Sequence, residues 1–431
     1  MNTFITIITP VIQVLASGIA FYGTFALARS ALMFWREENY KHNINWILLE
    51  IKIPRETTRG PKAMEQFFAG IYNLANSPNG PKETFVDGEI TRWYSFEIVG
   101  ENQTTRLFAR LPRPQRHPFE STFYAHYPDV EIVEATEDYI TKYPATYQEL
   151  QKQGKELYGL EIMPDPKKGH VSLPLRSYEE FENKVGDEKG RIMDTMAGVI
   201  EIIGKLKPDE VMWVQFLTIP DTKFHWLRDA EDIVEEMKAS TQGGKSEGER
   251  GSKNAPDIRF RFRTQGEEKN LKRLEEKKGK AVYETFFRAI YFAPENIYNR
   301  DLPNRGLFGW MSQFASSNDK YIQKVAKNNK VRTKVDRDAF PYLYPQRRLF
   351  LKRVKIYEEY RRRFIPDEWF VGKLWNSALP LNYCFFHKPL FLSAEELATF
   401  FHVPTNVVMT ATTMERIESK KLSPPSNLPG Q

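Results

Sequence analysis

From Phe4 to Ala28 the chain reads "FITIITPVIQVLASGIAFYGTFALA", 25 positions without a charged residue. A helix of that length rises about 37 Å at 1.5 Å per residue, enough for a hydrocarbon core of roughly 30 Å with some tilt. Pro10 stands near its start, and Gly18 and Gly23 are common types in membrane helices. A cleaved signal peptide is the competing reading, since Ala26-Leu27-Ala28 resembles a cleavage site. It requires a basic leader and a shorter apolar core, whereas the leader is "MNT" and the first basic residue is Arg29. Arg29, Arg36 and Lys41 follow the span, so the positive-inside bias puts the N-terminus outside and the remainder in the cytoplasm. Phe34 and Trp35 form an aromatic belt at the boundary.

Beyond the span the periodicity alternates between strand and helix. "NWILLEIKIP" (45–54) predicts a strand stopped by Pro54. "GPKAMEQFFAGIYNLANS" places Met64, Phe67, Phe68, Ile71 and Leu74 at helical spacing after Pro61. "ITRWYSFEIVG" and "TTRLFARLP" flank the turn "GENQ" as a hairpin, "HPFESTFYAHYP" is a short helix, and "DVEIVEA" a further strand. The order β-α-β-β-α-β is the split βαβ, or ferredoxin-like, pattern. A second round begins near Lys155. "KELYGLEIMP" and "HVSLPLRSYEEFE" read as strands or strand-rich, and "DTMAGVIEIIGKL" as an amphipathic helix. "EVMWVQFLTIP" and "AVYETFFRAIYFAP" are apolar enough for central strands, with the helix "HWLRDAEDIVEEMKAS" and a polar break between them. The expected architecture is α+β: a transmembrane anchor (1–40), a ferredoxin-like domain (41–145) and a second α+β domain (146–408). That second domain carries a flexible loop (239–256) and a basic insertion (300–345), of which "KYIQKVAKNNKVRTKVDRD" reads as mobile, and a Pro-rich tail (409–431) follows.

Charge changes this picture at one place. The formal net charge is +6, yet residues 320–363 hold 15 Lys/Arg against 4 Asp/Glu, a local excess of 11. A basic block on a mildly acidic body predicts an anionic partner, DNA or a lipid surface. Within it "QRRLFLKRVKIYEEYRRRF" (346–364) aligns Phe350, Val354, Tyr357 and Phe364 on one helical stripe. Arg347, Arg348, Lys352, Arg353, Lys355, Arg361, Arg362 and Arg363 are the candidate phosphate-contacting residues, weighed against an ordinary amphipathic helix with a solvated basic face.

Other chemistry is thinly represented. "ASTQGGKS" (239–246) fits a loose phosphate-loop pattern, but a charged helix precedes it where a buried strand is required, so it reads as a loop. His225, Asp229, Asp232 and Glu236 share one helix face and read as a solvated row rather than a metal site. The lone cysteine, Cys384, excludes an intrachain disulfide; with His387 in "NYCFFHKPLFL" it reads as part of a buried apolar strand. No catalytic, cofactor or metal residue is assigned.

The run "LFLSAEELATFFHVPTNVVMTATTMERIESKKLSPPSNLP" resembles the segment before the motor domain in membrane-anchored type IV secretion or conjugative-transfer ATPases, as in candidate-phyla bacteria. "GPKAMEQFFAGIYN", "YSFEIVG", "FYAHYPDVEIVEATEDY" and "KPDEVMWVQFLTIP" resemble the same pre-motor region. In such relatives a motor domain follows the linker; here the sequence ends at Gln431, and no nucleotide-site residue is carried over. The resemblance implies a non-catalytic platform at the inner membrane that docks a translocation ATPase, other secretion subunits or copies of itself. A membrane-tethered DNA-binding module using 320–363 is the alternative, and a membrane-bound hydrolase or nuclease with a dispersed site the third.

Overall fold

The hairpin around "GENQ" closes through Asn102 and Gln103, both at positive φ, the two-residue turn whose twist suits antiparallel strands. In the computed structural model it forms the middle of one sheet. The described residues are 2–54, 57, 59–165, 170–182, 194–239, 264–315, 319, 321–328, 331–334, 344–367, 369–376, 387–405 and 416–417. In chain order the helices and strands are α1 (Asn2–Asn43), β1 (Trp46–Pro54), α2 (Pro61–Tyr72), β2 (Tyr94–Glu101), β3 (Thr104–Pro112), α3 (Arg116–His126), β4 (Glu131–Glu134), α4 (Tyr147–Lys152), β5 (Lys155–Pro164), α5 (Glu179–Glu182), α6 (Ala197–Gly204) and β6 (Val211–Pro220). They continue with α7 (His225–Ala239), α8 (Gln265–Lys278), β7 (Val282–Pro294), α9 (Phe308–Ser312), β8 (Val325–Lys327), α10 (Pro345–Arg362), α11 (Phe370–Asn376), β9 (Leu390–Ser393), α12 (Ala394–Phe400) and β10 (Arg416–Ile417). The chain divides into two units: residues 1–45, 76–91 and 364–387, and residues 46–75, 92–363 and 388–431.

The first unit is built on α1. Its stretch Gln13–Asn43 is long and apolar enough to cross a membrane, and Val14, Ile19, Phe21 and Tyr22 are exposed along it. Ser17 and Thr24 donate to the carbonyls of Gln13 and Ala20, one turn back, so these hydroxyls are satisfied within the helix. A π-helical turn (Glu83–Asp87) and α11 pack against the same helix.

The second unit holds a ten-stranded sheet ordered β10-β1-β3-β2-β6-β7-β5-β8, with β4 also on β1 and β9 also on β7. Each round has the same internal order. In the first, β4-β1-β3-β2 pair antiparallel throughout; in the second, β8-β5-β7-β6 do the same. The rounds meet where β2 pairs antiparallel with β6, from Tyr94↔Thr218 to Glu101↔Val211. Strands from before and after residue 145 therefore share one continuous sheet. Strands so placed are covered on both faces, which explains their near-continuous apolar runs.

Alternation sends Phe96, Ile98, Val214, Phe216, Phe287 and Leu160 to one face, into a core shared with Phe67 and Phe68 of α2, Phe119 of α3, Ile200 of α6 and Phe400 of α12. The opposite face is covered by α10, α4 and the turn Tyr139–Lys142. Gly159 in β5 permits the approach of α10, since a Cβ there would lie 2.6 Å from the Cδ1 of Ile356.

Three expectations change. The part of 300–345 that is described is not a loose insertion: it supplies β8 at the sheet edge and the core residues Leu307, Trp310, Met311 and Phe314. The polar break before β7 contains α8, opened by a capping box between Thr264 and Glu267. Residues 170–182 form turns and α5 rather than strands, because the N–H groups of Leu175 and Tyr178 bond to the side chains of Glu396 and Thr399 instead of a neighbouring strand. Of "NYCFFHKPLFL" the described residues 387–392 carry β9 from Leu390; Cys384 and the loop 240–256 lie outside the described residues.

Candidate functional site

Each of the four central strands carries a charged or amide side chain in the middle of a largely apolar run: Glu97 in "YSFEIVG", Gln215 in "MWVQFL", Arg288 in "FFRAI" and Glu161 in "GLEIM". The register lines them up side by side, Glu97↔Gln215, Gln215↔Arg288 and Arg288↔Glu161. All four are buried, so the face beneath α10 bears a polar row that must find its partners inside the protein. The basic helix supplies many of them.

Arg363, in left-handed backbone at the end of α10 (φ +50°), is the centre of this arrangement. Its Nε and Nη2 donate to Glu97 at 2.6 and 2.9 Å, and its Nη1 and Nη2 donate to Asp138 at 2.6 and 3.1 Å. Tyr139 donates to Glu97 at 2.8 Å and its hydroxyl lies 3.0 Å from that of Tyr360. Burial alone would lower the Arg363 pKa, but the carboxylates of Glu97 and Asp138 outweigh it and hold the guanidinium well above its ordinary value. Burial likewise opposes ionisation of Asp138, yet Arg363 brings its carboxyl below the usual range. Arg110 moves the other way, down to about 9, through burial and repulsion by Arg363. Along the row Arg288 reaches Glu161 at 3.4 Å and the Glu359 carbonyl at 3.2 Å, and Asn328 donates to Glu161 at 3.1 Å. This is a charged clamp that fixes α10 to the sheet.

The eight cations singled out in the sequence therefore separate. Lys352 is buried and donates to the carbonyls of Arg332 and Lys334 at 3.2 and 2.9 Å. Arg353 pairs with Glu156 and with the Tyr147 hydroxyl, Lys355 with Glu359 at 3.5 Å, and Arg361 donates to the Ile140 carbonyl at 2.7 Å. With Arg363, five of the eight are committed inside the chain. Arg347 and Arg362 are exposed, and Arg348 is partly buried. Helical spacing shows only the Lys355–Glu359 pair, four residues apart on α10; the acceptors of the other four come from distant strands and loops. The charged or amide side chain in the middle of each of these strands was the available signal.

The start of α10 has a different character. A cavity of about 640 Å³ is lined there by Arg300, Lys334, Arg353, Thr333 and Gln346, among others. Nearby Lys327 donates to the Asn304 carbonyl and side chain. Burial and the adjoining Arg332, Lys334 and Arg305 push its amine down to about 8. Burial is the larger cause of the shift, and repulsion by the three neighbouring cations adds to it.

The row on α7 is also redistributed. His225 lies 2.9 Å from Glu284 of β7 and 3.7 Å from Asp221. The ligand atoms of these three fall within 4.8 Å of one another, a spacing able to hold a divalent cation. Asp221 also accepts from the N–H of His225 at 3.2 Å, capping the helix. Asp229 instead accepts from the Ser172 N–H and lies 3.0 Å from the Nδ1 of His170, which also approaches Glu236. Asp221 and Glu284, partners of His225 from outside the helix, could not be found from helical spacing alone. A fully buried pair, His402 and Asp194, lies at 3.0 Å under α12; each His402 ring nitrogen faces an oxygen, the other being the Ala398 carbonyl.

No protein-family model matches the chain, and no curated protein matches it.

Proposed function

We propose that the protein is a membrane-anchored docking platform of a type IV secretion or conjugation-like translocation system. In this reading α1 crosses the inner membrane with its N-terminus outside, and Arg29, Arg36 and Lys41 hold the body in the cytoplasm. The body is a pair of ferredoxin-like halves fused edge to edge through β2 and β6, a reading supported by the shared strand order of the two rounds. That fused sheet is the observation that carries the proposal. Its faces are covered by the protein's own helices and α10 is clamped by buried charge, so helix surfaces and short edge strands are what it offers to a translocation ATPase, other subunits or a second copy. Cross-linking in intact membranes followed by co-purification in mild detergent tests this. Discrete higher-mass partners are expected; a chain that always migrates as a lone monomer overturns it.

Arg300 and Lys334 at the cavity by the start of α10, with the exposed Arg347 and Arg362 on the helix itself, favour a second reading, a membrane-tethered module that binds DNA through its phosphates. Retention on DNA should then fall steeply as salt is raised. Replacing the exposed Arg300, Arg347 and Arg362 by Ala should weaken it without touching the clamp; unchanged retention would exclude this reading.

A further inference from the structure

The unit built on α1 exposes apolar side chains on more than the span itself. Phe85 and Val86, in the turn Glu83–Asp87, are 41% and 57% exposed, and Phe370 and Leu374 of α11 are 56% and 46% exposed. Both segments are fastened to the same short stretch of α1. The Arg29 guanidinium lies 5.6 Å from the Phe85 ring and 5.7 Å from the Trp369 ring, and Arg36 donates to the Phe85 carbonyl. The Val371 N–H donates to Ser30 at 2.9 Å, and Trp369 donates to Glu37. Gly372 makes the contact intimate: a Cβ there would lie 2.7 Å from the Phe34 ring. Lys41 completes the attachment with an ion pair to Asp367 at 3.0 Å.

Position along the helix fixes depth. The uncharged run ends at Ala28, so Ser30 stands about 3 Å and Phe34 about 9 Å beyond the hydrocarbon edge along the axis. The headgroup layer is roughly 5–8 Å thick on each side. Segments held against Ser30 thus lie within the headgroup layer and those against Phe34 at its outer edge, where apolar and aromatic side chains partition favourably and flanking lysines reach phosphates. Lys82 and Lys373, both exposed, adjoin the two segments.

We infer that the turn 83–87 and α11 form a collar around the end of α1 that inserts Phe85, Val86, Phe370 and Leu374 into the lipid headgroup layer. The partner of this surface is the bilayer itself, continuous with the span. The inference rests on the membrane-anchor reading of α1 and adds that the anchor is a small assembly in which two distant chain segments also touch lipid.

Site-directed spin labelling of the full chain in phosphatidylethanolamine/phosphatidylglycerol vesicles tests both levels. In a Cys384→Ser background, labels are placed singly by Phe85→Cys, Leu374→Cys, Tyr22→Cys and Glu201→Cys, all at exposed positions. Collisions with oxygen and with a water-soluble nickel chelate report depth. The label at 22 should be deepest, those at 85 and 374 intermediate, and that at 201 fully aqueous. If 22 is protected while 85 and 374 match 201, the collar is overturned and the anchor stands. If 22 itself is open to nickel, the anchor reading fails and the collar fails with it.

Discussion

Replacing Arg363 by Ala removes four hydrogen bonds and leaves two carboxylates without their cation. Stripping one partner from a buried ion pair costs about 3–5 kcal/mol. The structure places this case near the lower end. Glu97 is fully buried but keeps donors from Ser95, Tyr139 and Gln215, and the Asp138 side chain is 29% exposed and can rehydrate. A loss of about 3 kcal/mol is expected. Part of the native cost at this position is conformational, because a non-glycine residue in left-handed backbone is strained by about 1–2 kcal/mol. Arg363→Gly should therefore be milder than Arg363→Ala by about 1 kcal/mol while losing the same hydrogen bonds. Urea unfolding of the detergent-solubilised chain, followed by tryptophan fluorescence, reads both. Trp213 lies 4.9 Å from the Tyr139 ring and 5.5 Å from that of Tyr360, so it reports on the clamp directly. A loss below about 1 kcal/mol for Arg363→Ala would refute the clamp, and equal losses for Ala and Gly would refute the strain.

Gly159→Ala should destabilise the chain by about 1–3 kcal/mol through overpacking on Ile356, and the second change Ile356→Val should recover part of that; no recovery would place the clash elsewhere. Burial opposes ionisation of Asp194, but His402 and donors from Thr405 and Met196 leave its pKa below the ordinary value. Its contribution is thus complete above about pH 4 and disappears as pH falls through the depressed folded value. Asp194→Asn should flatten the acid limb of stability against pH, and parallel limbs for mutant and wild type would contradict the assignment. The Lys327 amine should titrate near pH 8 by NMR of the ¹³C-methylated protein, moving upward in Arg332→Gln. Because its folded pKa is lowered, its contribution to stability rises between pH 8 and the ordinary lysine value of about 10.4; a midpoint above 10 would refute the burial and repulsion assigned to this amine.

Local order was legible in the sequence wherever one segment's own chemistry settles it. Twenty-five uncharged positions give a helix able to cross a membrane; alternation gives β1 to β4, and continuous apolar runs give β6 and β7 as central strands. Those signals are written in consecutive residues, because backbone periodicity and burial on one or both faces act along the segment itself. The strand β8 escaped because "VAK" at a sheet edge needs little apolar character, and α8 escaped because its buried Leu271 and Leu274 are few among charged neighbours. Only the tertiary structure decided that β2 and β6 pair and merge two rounds into one sheet, since that choice is between edges distant in sequence. It also decided the fate of the basic helix. A cation's sequence neighbours state its charge, but whether it meets water, phosphate or a buried carboxylate depends on what faces it across space. For Arg363 that is Glu97, which lies 266 residues away.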